Sequence, residues 1–148
     1  MSTPAELLLG IALRLRPLLD EVAFVGGCAT QLLITDPAAP PIRITDDVDV
    51  IVELSSYSEY ARFSARLRRL GFVEDASEGA PICRWKAGGM KLDVMPTDAK
   101  LLGFSNRWYK SALNAAETGC FTDFGMQGRC VREDQCSFAR VAFYWRYG

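Results

Sequence analysis

The sequence predicts a single α/β domain over residues 1–148, with helical and strand periodicities interleaved along the chain. Three stretches carry that reading. Apolar residues recur at helical spacing between Leu8 and Leu19, apolar and polar residues alternate from Ile42 to Leu54, and a Gly88-Gly89 pair separates two short strand-like segments. A length of 148 residues suits one ordinary domain, and a hydrophobic fraction of 49% supplies its core.

The elements follow in order. Thr3 and Pro4 open a first helix with Glu6 in its first turn, and Leu8, Ile11, Leu15, Leu18 and Leu19 form its buried stripe. Val22 to Val25 reads as a buried strand. Gly26-Gly27 follows it, and a second helix is expected from Ala29 to Ile34. Three prolines between Asp36 and Pro41 mark a loop. In the strand from Ile42 to Leu54, Ile42, Ile44, Val48, Val50 and Val52 fall on the core face. Asp47, Asp49 and Ile51 fall on the other, and Asp46 breaks the pattern by landing on the apolar side. Ser55 or Ser56 caps a helix from about Tyr57 to Leu70, with Tyr60, Phe63, Leu67 and Leu70 buried and Gly71 as its stop. Strands are expected at Ile82–Ala87 and Met90–Met95, joined as a hairpin by Gly88-Gly89. A helix is expected from Asn106 to Glu117, a short strand from Met126 to Arg132, and a terminal helix or poorly ordered tail from Ser137 to Tyr147.

Composition excludes whole classes of chemistry. The chain contains no histidine, which removes Ser-His-Asp and Cys-His mechanisms and His-ligated zinc. Five cysteines, at 28, 83, 120, 130 and 136, include no C-x-x-C pair and suit reduced thiols in a cytoplasmic protein. The net charge of −1 does not announce a nucleic-acid binder. No stretch approaches the length of a membrane span, so no membrane partner is expected.

The residues left to carry chemistry are carboxylates. Asp47 and Asp49 lie two apart on a strand, so both project from one face, within reach of a shared divalent cation. Asp93, between Leu92 and Val94, is the third carboxylate and shares its face with Lys91. Hard cations such as Mg²⁺ prefer such oxygen donors and also bind substrate phosphates. Gly26-Gly27, between a strand and a helix, lets the backbone approach a phosphate closely. Phosphoryl and nucleotidyl transfer rely on positioning and charge neutralisation, so the lack of histidine is no obstacle. Each part alone has a plainer reading: a tight turn for the glycines, a solvated or capping role for an aspartate at a strand end. The ordered set is far more specific than any member.

The segments Phe24-Val25-Gly26-Gly27, Arg43 to Val50 and Leu92-Asp93-Val94-Met95-Pro96 resemble the DNA polymerase β-type nucleotidyltransferase superfamily. Within it, R-x-T-x-D-h-D (h apolar) preceded by G-G-x-A-T is similar to the AbiEii-type nucleotidyltransferases, toxin components of type IV toxin–antitoxin systems. The resemblance covers residues from about 20 to 115. It implies a nucleotidyltransferase fold, a mixed β-sheet flanked by helices. It implies Mg²⁺ (or Mn²⁺) held by Asp47, Asp49 and Asp93, and a nucleoside triphosphate substrate near Gly26, Gly27, Thr30 and Lys91. Relatives transfer a nucleotide to RNA ends, including tRNA acceptor ends, or to protein hydroxyls, and a cognate antitoxin protein is an expected partner. They usually continue into a helical C-terminal part with a further lysine and aspartate, whereas the last lysine here is Lys110 and the sequence ends at Gly148. The alternative expectation is therefore a truncated, catalytically impaired domain that binds nucleotide or a partner protein.

Two further groups have two readings each. Arg62, Arg66, Arg68 and Arg69 suit an RNA backbone or a solvated helix face, and Arg107 to Lys110 suits a nucleotide contact or an aromatic core anchor.

Overall fold

The computed structural model describes residues 4–31, 38, 46–103, 107–122, 125–127 and 137–141. The first helix, α1, spans Pro4–Arg14, with Glu6 in its first turn and Arg14 in its last, each matched to the helix dipole. Leu8, Ile11, Ala12 and Leu15 are buried along one stripe. A single 3₁₀ turn at Arg16–Leu18 redirects the chain into β1, Val22–Val25, which is buried at every residue. Helix α2, Gly26–Gln31, starts at the glycines themselves rather than at Ala29, and residues 32–34 lie outside the described residues.

Strand β2, Asp47–Val52, is shorter than the expected Ile42–Leu54; residues 42–45, with most of the 36–41 loop, fall outside the described residues. Asp46 does not face the core. It precedes the strand, is exposed, and pairs with Lys91 at 2.9 Å, because strand alternation begins only at Asp47. Helix α3, Tyr57–Arg69, is capped by Ser56, whose hydroxyl accepts the Glu59 N–H, while the Glu59 carboxylate accepts the Ser55 N–H. Phe63 and Leu67 are its buried anchors, and Gly71, at φ 91°, ends it. The two-residue strand β3, Val73–Glu74, then pairs with β4, Arg84–Ala87, and β4 turns through Gly88-Gly89 into β5, Met90–Pro96. Both turn glycines have positive φ, as a two-residue hairpin loop of the primed type requires.

Helix α4 covers only Tyr109–Asn114, and β6, Glu117–Thr122, begins where a longer helix was expected. Strand β7 is Gly125–Gln127; the rest of the expected strand to Arg132 lies outside the described residues. Ser137–Val141 is neither helix nor irregular tail but strand β8. It lies parallel to β1 and antiparallel to β6. Pairing the open edge of β1 outweighs the weak local preferences of this segment; residues 142–147 lie outside the described residues.

Among the described residues, eight strands form one mixed sheet in the order β3-β4-β5-β2-β1-β8-β6-β7. The molecule is thus mixed α/β, as expected, and the five strands β3-β4-β5-β2-β1 frame the three aspartates. One sheet face carries the main core, where Val22, Phe24, Val48, Val50, Val52, Trp85, Leu92 and Val94 meet α1 and α3. On the other face Ala23, Val25 and Ile51 pack against Tyr109, Ala112 and Leu113 of α4. Asp47 and Asp49 share this second face with Ile51 by alternation. Among the described residues, no helix is long and apolar enough to cross a membrane.

Candidate functional site

The central fact is a register. Strands β2 and β5 run parallel with Asp49 directly beside Asp93 and Asp47 beside Lys91. Parallel neighbours in register point the same way, so the two aspartates of β2 and the one of β5 converge. Asp47, Asp49 and Asp93 each offer a carboxylate oxygen, and these atoms all lie within 4.8 Å of one another. Asp93 is buried, at 7% exposure; the other two are half-buried.

Such crowding has an electrostatic cost. Burial, then the charges of Asp47 and Asp93, push the Asp49 carboxyl up to about 7. Burial also raises Asp47, helped by the hydrogen bond and charge it shares with Asp93. The folded chain thus holds a site where negative charge is disfavoured unless a cation is present.

Part of the counter-charge comes from a residue the motif reading missed. The Arg84 Nε–H donates to Asp93 Oδ1 at 2.8 Å, and its Nη2–H groups donate to Asp93 Oδ2 at 2.9 Å and to Asp47 Oδ2 at 3.0 Å. Hydrogen bonding to Asp93, with the charges of Asp93 and Asp47, raises the guanidinium above its ordinary range. The signal was present in the sequence. A two-residue turn at 88–89 fixes the hairpin register, and that register sets Arg84 opposite Asp93.

Gly26 is demanded by the site rather than by the turn alone. Its φ is +80°, and a Cβ there would overlap the Asp49 carboxylate, so only glycine fits beside that side chain. Gly27 follows it in α2, half-buried. The Cys28 thiol donates to the Asp47 carbonyl at 3.3 Å and ties α2 to the start of β2. Lys91 engages Asp46 rather than the three aspartates. The Thr30 side chain lies outside the described residues.

Several residues of the two remaining groups have partners within the chain. Arg66 pairs with Glu21 at 2.7 Å, and Arg68 pairs with Glu74 and lies 5.6 Å from the Trp85 ring centroid. Tyr109 is a core anchor whose hydroxyl meets Met95 Sδ, while Arg107 stacks on the half-exposed Trp108.

An all-oxygen donor set from three convergent carboxylates fits a hard divalent cation. One guanidinium against three carboxylates leaves negative charge for it to neutralise. The fold and site together define a mixed α/β protein with a three-carboxylate centre at the junction of two parallel strands. No family model matches the chain, and no curated protein matches it.

Proposed function

We propose that the chain is a divalent-metal-dependent nucleotidyltransferase of the DNA polymerase β type, similar to AbiEii-type toxins. The observation that carries this reading is the in-register parallel pairing of β2 and β5, which gathers Asp47, Asp49 and Asp93 into one donor set. These three residues would hold Mg²⁺ or Mn²⁺. An ion held there would supply the positive charge that offsets a triphosphate.

The chain's own groups account for the rest. The Gly26 backbone packs directly against the Asp49 carboxylate, which fills the space a side chain would take, so the Gly26-Gly27 turn proposed to meet the phosphates lies beside the carboxylate centre. An acceptor hydroxyl on an RNA end or a protein side chain gives its proton to a carboxylate, the role this reading gives Asp93 once Arg84 releases one of its oxygens. The acceptor oxygen bonds to the α-phosphorus of a nucleoside triphosphate, the bond to the β-phosphate oxygen breaks, and pyrophosphate leaves. A tRNA acceptor end and a cognate antitoxin protein are the partners this reading favours, within the cytoplasm.

Arg84 favours a second reading. By engaging Asp47 and Asp93 it supplies counter-charge without a metal, as suits a domain that binds nucleotide or a partner protein without turnover. Incubation with each of four α-labelled nucleoside triphosphates, Mg²⁺ and total RNA separates the two. The first reading expects label in RNA or on protein, falling to background in Asp47→Ala while the circular dichroism spectrum is retained. Thermal stabilisation by Mg²⁺-nucleotide with no labelled product supports the second. Equal labelling by Asp47→Ala overturns the first.

A further inference from the structure

We propose that Arg84 is a built-in stand-in cation of the carboxylate centre: it holds Asp47 and Asp93 together in the metal-free protein and competes with the divalent ion for them. The inference rests on the metal-dependent reading above and deepens it by naming the residue that sets metal affinity.

The geometry is specific. Arg84 covers both oxygens of Asp93 and one of Asp47, and none of its hydrogen bonds goes to Asp49. Its side chain is 17% exposed, so water screens these contacts weakly. The backbone of Arg84 is fixed by the β4–β5 pairing opposite Asp93. The guanidinium can therefore leave only by changing its side-chain rotamer, not by moving the strand. A divalent ion bound by Asp47 and Asp93 would sit beside a positive charge already in contact with the same oxygens. Binding then requires that Arg84 give up contacts or tolerate repulsion, and either one weakens the ion. In return the carboxylates are held converged before any metal arrives, and the fold does not depend on metal to offset their mutual repulsion.

The test measures Mn²⁺ affinity by electron paramagnetic resonance for the wild type, Arg84→Gln and Arg84→Lys, with thermal unfolding in EDTA and in saturating Mn²⁺. Arg84→Gln removes the charge and is expected to bind Mn²⁺ at least about tenfold tighter. Arg84→Lys keeps a charge but cannot span three oxygens, and is expected about threefold tighter. In EDTA the wild type melts above Arg84→Gln, and Mn²⁺ raises the melting temperature more in the variant. Tighter binding by the variants, or binding by Arg84→Gln alone, supports the inference, the latter also favouring the reading without turnover. Wild-type or weaker affinity in folded Arg84→Gln, or in Arg84→Lys should the Gln variant not fold, overturns it while leaving the metal reading intact. Absence of Mn²⁺ binding in all three proteins removes the metal reading and the competition together.

Discussion

Replacing Asp49 with Asn removes a buried charge while preserving side-chain volume, and it sets the stability of the metal-free fold against metal binding. The Asp49 carboxyl is displaced from an ordinary 3.8 to about 7, chiefly by burial and then by Asp47 and Asp93. At roughly 1.4 kcal/mol per pH unit this corresponds to about 4 kcal/mol held against the ionised form. Partial contact with water trims the expected gain to about 2–4 kcal/mol. Because the folded-state value lies above that of the unfolded chain, the contribution of Asp49 to stability is intact below about pH 4 and is lost as pH rises through about 7. In EDTA at pH 8, Asp49→Asn should therefore melt about 5–10 °C above the wild type. The advantage should shrink to a degree or so at pH 4, where the wild-type carboxyl is already protonated. The same variant should lose divalent-ion stabilisation. Differential scanning calorimetry at the two pH values measures this directly. An equal advantage at pH 4 and pH 8, or none at pH 8, would refute the argument that mutual repulsion and burial govern this carboxylate.

Two further predictions concern the neighbours of the centre. Gly26→Ala forces a Cβ into the space of the Asp49 carboxylate at a backbone φ of +80°, so it should cost about 2–4 kcal/mol in urea denaturation and also weaken Mn²⁺ binding. A variant with wild-type stability and metal affinity would show that the close approach is unnecessary. Lys91→Ala breaks an exposed pair with Asp46 and should alter stability by less than about 1 kcal/mol. A raised KM for nucleotide with unchanged stability would assign Lys91 to phosphate binding, whereas unchanged KM would leave it a surface ion-pair partner.

Much of this was legible because local pattern and global fold agree where side chains alternate or cap. Asp47 and Asp49 were readable from strand parity, the Gly88-Gly89 hairpin from its turn chemistry, and α3 from its Ser56 cap and buried stripe. The convergence of Asp93 with Asp49 needed the parallel register of β2 and β5, a long-range pairing that no local pattern specifies. Arg84 is recoverable by counting outward from the hairpin turn, which sets it opposite Asp93, but no acidic motif points to it. Asp46 was misplaced because alternation was extended past the true start of the strand. The terminal strand β8 was illegible locally, since its reason to be extended is the unpaired edge of β1, more than a hundred residues earlier in the chain.

The parallel pairing that assembles the centre also sets when it assembles. The hairpin β4–β5 brings Arg84 to Asp93 through a two-residue turn, whereas β2 and β5 meet only by closing the long segment that carries α3, β3 and β4. Closing a short loop is far faster than closing a long one, so Asp93 is expected to acquire its arginine before it meets the two aspartates of β2. The late docking step then brings together a near-neutral pair and two carboxylates, not three bare charges. Refolding of the wild type should depend weakly on ionic strength, and removal of Arg84 should make that dependence steep.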